Sequence, residues 1–187
     1  MINFLNRDIS EINDVIEATS NKSGLASSII EKDLWVCYIL DYLFNRCEYR
    51  DYFEFKGGTS LSKAYNLIDR MSEDIDIVLN SSLIGFTFLS EFVSMSNNQK
   101  NKKVLELNDR ALEFYDKKLL KSIVNDLSNE INKKLNIYLN KDELAIYVEY
   151  PSIYNTSYIK NAVKIEIGPI ASWTPFEIKQ IKSYVSE

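Results

Sequence analysis

The stretch Phe55-Lys56-Gly57-Gly58-Thr59-Ser60-Leu61-Ser62-Lys63-Ala64-Tyr65, followed by Arg70-Met71-Ser72-Glu73-Asp74-Ile75-Asp76-Ile77-Val78-Leu79, decides how this chain is read. Its first half is a Gly-Gly turn, two hydroxyls and a helical pattern. Glycine lets a backbone come close to a phosphate, and the first-turn N–H groups of a helix point toward an anion. The second half alternates with period two, which puts Asp74 and Asp76 on one face of a strand and Ile75 and Ile77 on the other. Neighbouring carboxylates repel one another, and Mg²⁺ is commonly held by one or two of them together with substrate phosphate oxygens. Taken singly, a Gly-Gly is usually just a turn and an Asp-x-Asp usually an exposed strand edge. Here they come in order, with room between Gly58 and Asp74 for one helix of about three turns and a return loop. Together they predict a strand–helix–strand unit that brings a phosphate cradle and a metal site to the same end.

Upstream, residues 8–16 carry apolar positions at i, i+3, i+4 and i+7, the mark of an amphipathic helix. Residues 26–47 read as a second helix, apolar on more than one side and therefore buried. Within it, Glu31-Lys32-Asp33 is either a charge cluster that anchors the helix to the core or a source of groups that reach a nucleotide. A short strand over 53–55 leads into the turn, a helix over 59–66 follows, and 75–79 is the aspartate strand. Residues 86–95 predict a helix anchored by Phe88 and Phe92, and 97–103 a polar, partly basic loop. A long, interruptible helix over 104–136 is expected next, with Leu119, Ile123, Leu127, Ile131 and Leu135 as its packing stripe. Residues 144–150 predict a strand halted by Pro151. Residues 163–167 predict another, with Val163, Ile165 and Ile167 on one face and Lys164 and Glu166 on the other. If that strand lies beside the aspartates, Glu166 becomes a third carboxylate at the metal and Lys164 sits near the phosphates. A final strand is expected over 176–184.

Composition sets the limits. The 187 residues suit one domain with its own core, and 45% hydrophobic with 26% charged residues is ordinary for a globular chain. The net charge of −5 gives no global basic field for nucleic acid, so an RNA partner would need a local patch. Lys102, Lys103, Lys117, Lys118, Lys121, Lys133 and Lys134 are the main supply; such lysines usually form a solvated face. With no histidine, His-based acid–base catalysis and His–Cys zinc sites are excluded. Cys37 and Cys47, on one helix about 15 Å apart, are too distant for a disulfide and read as buried fillers in a reducing compartment, the cytoplasm. No signal peptide and no membrane span is expected.

Gly57-Gly58-Thr59-Ser60-Leu61-Ser62-Lys63 followed by Arg70-Met71-Ser72-Glu73-Asp74-Ile75-Asp76 resembles the AbiEii family. These are nucleotidyltransferase-like toxins of type IV toxin–antitoxin and abortive-infection systems, in the polymerase β-like superfamily. Glu31-Lys32-Asp33-Leu34-Trp35 upstream, and Val163-Lys164-Ile165-Glu166-Ile167-Gly168 with Trp173-Thr174-Pro175-Phe176 downstream, are similar to it as well. The resemblance implies an α+β fold: a polymerase β-like nucleotidyltransferase core with a mixed β-sheet packed by helices. In it, 1–50 would be N-terminal helices, 53–95 and 143–187 the sheet core, and 97–140 a helical insertion, all one domain. It implies Asp74, Asp76 and Glu166 as ligands for Mg²⁺ or Mn²⁺, with Lys164 alongside as a catalytic residue. Gly57, Gly58, Thr59, Ser60 and Lys63 would bind the nucleotide. The implied reaction moves a nucleotide from an NTP to an acceptor, such as an RNA of the tRNA kind, with a cognate antitoxin as partner.

Members of the family are usually longer, with a helical C-terminal part whose Arg-Asp-h-h-Asp-Leu-like motif adds a catalytic acid; no such segment follows here before Glu187. The rival expectation is therefore a non-catalytic module of the same fold that binds a protein partner. A sugar-nucleotide glycosyltransferase with Asp74-Ile75-Asp76 as its metal motif fits worse, because that fold opens on a βαβ domain and this chain on two helices.

Overall fold

The computed structural model describes residues 1–68, 73–86, 94–156, 159–169 and 177–186. Its frame is a five-stranded mixed sheet packed by helices, an α+β arrangement. Three helices open the chain: α1 (Ile2–Leu5), α2 (Ile9–Ser23) and α3 (Ser27–Asp41). Then come β1 (Phe53–Lys56), α4 (Gly57–Lys63), β2 (Asp74–Leu79), α5 (Asn97–Phe114) and α6 (Leu120–Glu130). The strands β3 (Asn136–Asn140), β4 (Ala145–Glu149) and β5 (Ala162–Gly168) complete the frame. The spatial order is β1-β2-β5-β4-β3; β2 and β5 run parallel and the other pairs antiparallel.

Alternation gives the sheet two unlike faces. Ile75, Ile77 and Leu79 of β2, Val163, Ile165 and Ile167 of β5, and Ile146 and Val148 of β4 are all buried in one core. Its helical side comes from α3 and from the stripe Leu119, Ile123, Leu127 and Ile131, whose members are likewise buried. The fifth residue of that stripe, Leu135, is only partly buried. α3 is buried all round from Ile30 to Leu40. A π turn over Tyr42–Arg46 prolongs it, and polar pairs fasten it to α6: Tyr42 Oη donates to Asp126 (2.8 Å), Tyr38 Oη to Glu130 (2.9 Å), and Arg46, paired locally with Asp41, bonds Glu130 (3.1 Å). Cys37 and Cys47 are both buried, and among the described residues neither is in a disulfide.

Several sequence expectations need correction. Residues 97–103 are not a loop but the first two turns of α5. Ser96 accepts from Gln99 N and the Gln99 side chain bonds Ser96 N, a capping box that starts the helix ahead of its polar residues. The helix expected to reach residue 136 ends at Glu130, and Ile131 is extended. Asn136–Asn140 is therefore strand β3, so the 97–140 stretch is not wholly helical. The helix expected over 59–66 starts at Gly57, takes in both glycines and ends at Lys63, seven residues and two turns rather than three. No strand occupies 177–183; that segment carries no regular structure and ends in a short 3₁₀ turn, Tyr184–Ser186. The helix expected over 86–95, with Phe88 and Phe92, and the Arg70-Met71-Ser72 and Trp173-Thr174-Pro175-Phe176 segments lie largely or wholly outside the described residues.

Candidate active site

The antiparallel pairing of β1 with β2 sets Lys56 opposite Asp76, so the next residue, Gly57, turns directly over that aspartate. Gly57 has φ +75°, a left-handed conformation that favours glycine. Steric room demands glycine independently. A Cβ at Gly57 would lie 2.7 Å from Asp76 Cβ and closer still to its carboxylate. The Gly-Gly turn is thus in contact with the carboxylate strand. α4 then packs against β1 and β2, and Thr59, buried, donates its hydroxyl to the Asp74 carbonyl.

The parallel pairing of β2 with β5 sets Asp74 beside Lys164 and Asp76 beside Glu166. Asp74, Asp76, Lys164 and Glu166 therefore share the face of the sheet opposite the apolar core. Lys164 Nζ contacts Glu166 (2.6 Å) and Glu143 (2.8 Å), and these two carboxylates hold its pKa above the ordinary lysine value. Both aspartates are half-buried and their pKa values are raised. For Asp74 desolvation is the main cause, offset by Lys164 and reinforced by Glu166; for Asp76 desolvation leads again, with Glu166 adding to it and Lys56 opposing it. An electronegative site short of counter-charge suits a cation. Carboxylate oxygens are hard donors of the kind Mg²⁺ and Mn²⁺ prefer. Among the described residues Asp74, Asp76 and Glu166 are not gathered into a three-carboxylate group that could hold a metal ion.

The nominated residues do not all converge. Lys63 turns away from the carboxylates: its ammonium pairs with Asp33, donates to the Lys182 carbonyl (3.2 Å) and lies 3.7 Å from the centre of the Tyr184 ring. The Thr59 hydroxyl is spent on Asp74, and Ser60 is buried. Lys56, by contrast, has no role in the sequence reading, and its pairing opposite Asp76 puts it on the face of the aspartates. It lines a cleft of about 290 Å³ with Asp76, Asn108, Glu143, Glu166 and Gly168. A larger cavity of about 480 Å³, between α2, α3 and the turn at Pro151, is mostly apolar and contains none of these residues.

Behind the site, the Glu31-Lys32-Asp33 triplet is structural. All three are buried. Glu31 accepts from Ser152 Oγ (2.6 Å), Ile153 N (2.7 Å) and Tyr154 N (3.2 Å). Lys32 donates to the carbonyls of Lys160 (2.9 Å) and Ala162 and pairs with Glu73 (3.3 Å), joining the entrances of β5 and β2. Asp33 holds Lys63 of α4 and accepts from Tyr184 N (2.7 Å). None of the three faces the cleft. Lys103 on α5 pairs with Glu106, and Lys117 on the π turn between α5 and α6 pairs with Glu113, the solvated-face arrangement.

Fold and site together define an α+β protein in which a glycine turn is pressed against a carboxylate-bearing strand, a layout suited to phosphate chemistry. The chain belongs to the family described as Nucleotidyl transferase AbiEii toxin, Type IV TA system, which it matches over residues 38–187. That span begins after Glu31-Lys32-Asp33-Leu34-Trp35. No curated protein and no solved structure matches the chain. Among the described residues no helix is long and apolar enough to cross a membrane.

Proposed function

We propose that this protein is a cation-dependent nucleotidyltransferase, the toxin half of a toxin–antitoxin or abortive-infection pair acting in the cytoplasm. The observation that carries the reading is the contact between Gly57 and Asp76, since it puts backbone able to approach a phosphate within reach of a cation-binding carboxylate. The family's description as a nucleotidyl transferase points the same way. Asp74 and Asp76, with Glu166 beside them, would hold Mg²⁺ or Mn²⁺. When bound, the cation supplies charge neutralisation to the attacking and leaving oxygens of an in-line displacement.

The chain's own residues do the rest. Gly57 and Gly58 bring main-chain N–H groups to the β- and γ-phosphates, with the first turn of α4 at Thr59 and Ser60 continuing the cradle. Lys56 and Lys164 offset the negative charge of the triphosphate from the two sides of β2. Lys63 fixes α4 through Asp33 rather than meeting the nucleotide. In the transfer, an acceptor hydroxyl oxygen bonds to the α-phosphorus and the bond from that phosphorus to the pyrophosphate oxygen breaks. Pyrophosphate leaves with the electron pair, and the hydroxyl proton passes to Glu166. The family resemblance supports an RNA such as tRNA as the acceptor and a cognate antitoxin as the partner.

Calorimetric titration of each NTP with Mg²⁺ tests this, using the wild type and Asp74→Ala/Asp76→Ala. Binding that requires both the cation and the aspartates is expected, followed by label transfer from an α-labelled NTP to total RNA. No binding by any NTP would refute the reading and leave a partner-binding module.

A further inference from the structure

The open face of the sheet continues past the carboxylates. In register with Asp74 and Lys164 lie Tyr147 of β4 and then Tyr138 of β3. The two rings stack on each other, 5.3 Å between centres and 10° from parallel. Tyr138 is 38% exposed although it is a large aromatic on an edge strand. Their hydroxyls are anchored: Tyr147 Oη donates to Glu143 (2.6 Å) and Tyr138 Oη to Glu149 (3.2 Å), which also accepts from Asn136. Glu143 in turn holds Lys164, and Lys164 holds Glu166. A polar chain thus links the ring pair to the carboxylates. With strands about 4.8 Å apart, Tyr147 stands about 10 Å and Tyr138 about 14 Å from Asp74.

Across this face the order is therefore Gly-Gly turn, aspartates, Lys164 and Glu166, Tyr147, Tyr138. In-line displacement puts the attacking hydroxyl on the side of the phosphorus opposite the leaving pyrophosphate. If the triphosphate rests on the glycine side, the acceptor enters over β4 and β3. We infer that the Tyr138–Tyr147 pair is the acceptor platform, and that it takes a flat nucleobase near the reacting end of a single-stranded nucleic acid. This rests on the nucleotidyl-transfer reading and narrows its acceptor, because a protein or small-sugar hydroxyl has no base to stack. Carboxylates at Glu143 and Glu149 flank the rings, so the contact is made through the base rather than the phosphate backbone. Stacking of this kind is tolerant of sequence.

The test is fluorescence anisotropy with 5′-labelled single-stranded rA6 and rU6, on the full chain with Mg²⁺ and a non-hydrolysable NTP. Tyr138→Ala and Tyr147→Ala should each weaken binding by about 5- to 150-fold, and Tyr138→Trp should restore it. Raising salt from 50 to 200 mM should weaken wild-type binding by less than about tenfold, as fits two or fewer phosphate contacts. Calorimetric Mg–NTP binding by Tyr138→Ala, whose hydroxyl bonds Glu149 rather than the Lys164 partner Glu143, should match the wild type. Alanine variants that hold the oligonucleotides as well as the wild type overturn the inference. So does a wild type that binds Mg–NTP but neither oligonucleotide, or a steeper salt dependence. In those cases nucleotidyl transfer stands with a different acceptor. A wild type that binds no NTP refutes the underlying reading instead.

Discussion

Gly57→Ala separates two reasons for glycine at the cradle. The first is conformational: φ is +75°, and an L-residue in the left-handed region costs about 1–2 kcal/mol. The second is the collision with Asp76, whose Cβ would be 2.7 Å away. Forcing a side chain off its rotamer to relieve such overpacking costs about 1–3 kcal/mol more. Gly24 supplies the control, since it has nearly the same φ, +74°, with nothing within 4 Å of an added Cβ. For a chain of this size 1 kcal/mol moves Tm by roughly 2–4 °C. Gly24→Ala should therefore lower Tm by about 2–8 °C and leave nucleotide binding alone. Gly57→Ala should lower it by about 4–20 °C. Its displaced Asp76 should also weaken Mg–NTP binding by about tenfold or more, because misplacing a catalytic group by about 1 Å can cost about 100-fold. Differential scanning calorimetry and titration calorimetry on the three proteins give both numbers. If Gly57→Ala loses no more stability than Gly24→Ala and binds Mg–NTP like the wild type, the contact between cradle and carboxylate is not what holds the site together.

Lys32→Met should destabilise the fold by about 1.5–3 kcal/mol in urea unfolding, because it removes the buried ammonium whose charged hydrogen bonds tie α3 to the Lys160 and Ala162 carbonyls. Ser96→Ala, by removing half of the capping box, should cost about 1 kcal/mol and reduce helical circular dichroism if residues 97–103 are helical. Tyr115→Phe should cost about 1 kcal/mol, since its buried hydroxyl donates to the Ile167 carbonyl (2.9 Å), with Mg–NTP binding unchanged. Alkali should unfold the protein from about pH 10 upward. Burial raises the pKa of Tyr42, Tyr115 and Tyr150, so above the ordinary value the unfolded chain releases protons that the folded one keeps, and stability falls as pH rises. The step in absorbance at 295 nm that follows ionisation of the surface tyrosines should coincide with the loss of circular dichroism; full tyrosinate absorbance with the structure intact would contradict this.

Period-two alternation made the aspartate and Lys164–Glu166 strands readable, because a half-buried strand has to sort its residues by face. It also held the clue to Lys56, which shares the parity of Asp76 once pairing is known, but parity needs a register and register is a long-range fact. The same limit hid the fate of Lys63. Its position in the motif fits a phosphate contact, while its partner Asp33 is thirty positions upstream on another helix. The polarity of residues 97–103 suggests a loop, while the capping signal Ser96-x-x-Gln99 directly before them starts a helix. Leu135 hides strand β3 because it extends the four-residue rhythm of α6 past its end. An apolar repeat does not reveal where a helix stops when no glycine or proline marks the place.

The triplet on α3 also bears on how the chain comes together during synthesis. Glu31, Lys32 and Asp33 are made early, yet their partners at Ser152, Lys160 and Tyr184 lie 121, 128 and 151 positions downstream. Until those residues leave the ribosome, three charges on a helix otherwise made for burial must stay hydrated. α3 thus cannot seat itself on a half-built sheet without stranding them. Assembly of β2 against β5, and with it the pairing of the aspartates with Glu166, then waits on β5 and on the segment that carries Tyr184. The carboxylate face of the sheet is in this way built from contacts of long sequence separation, the slow kind to form.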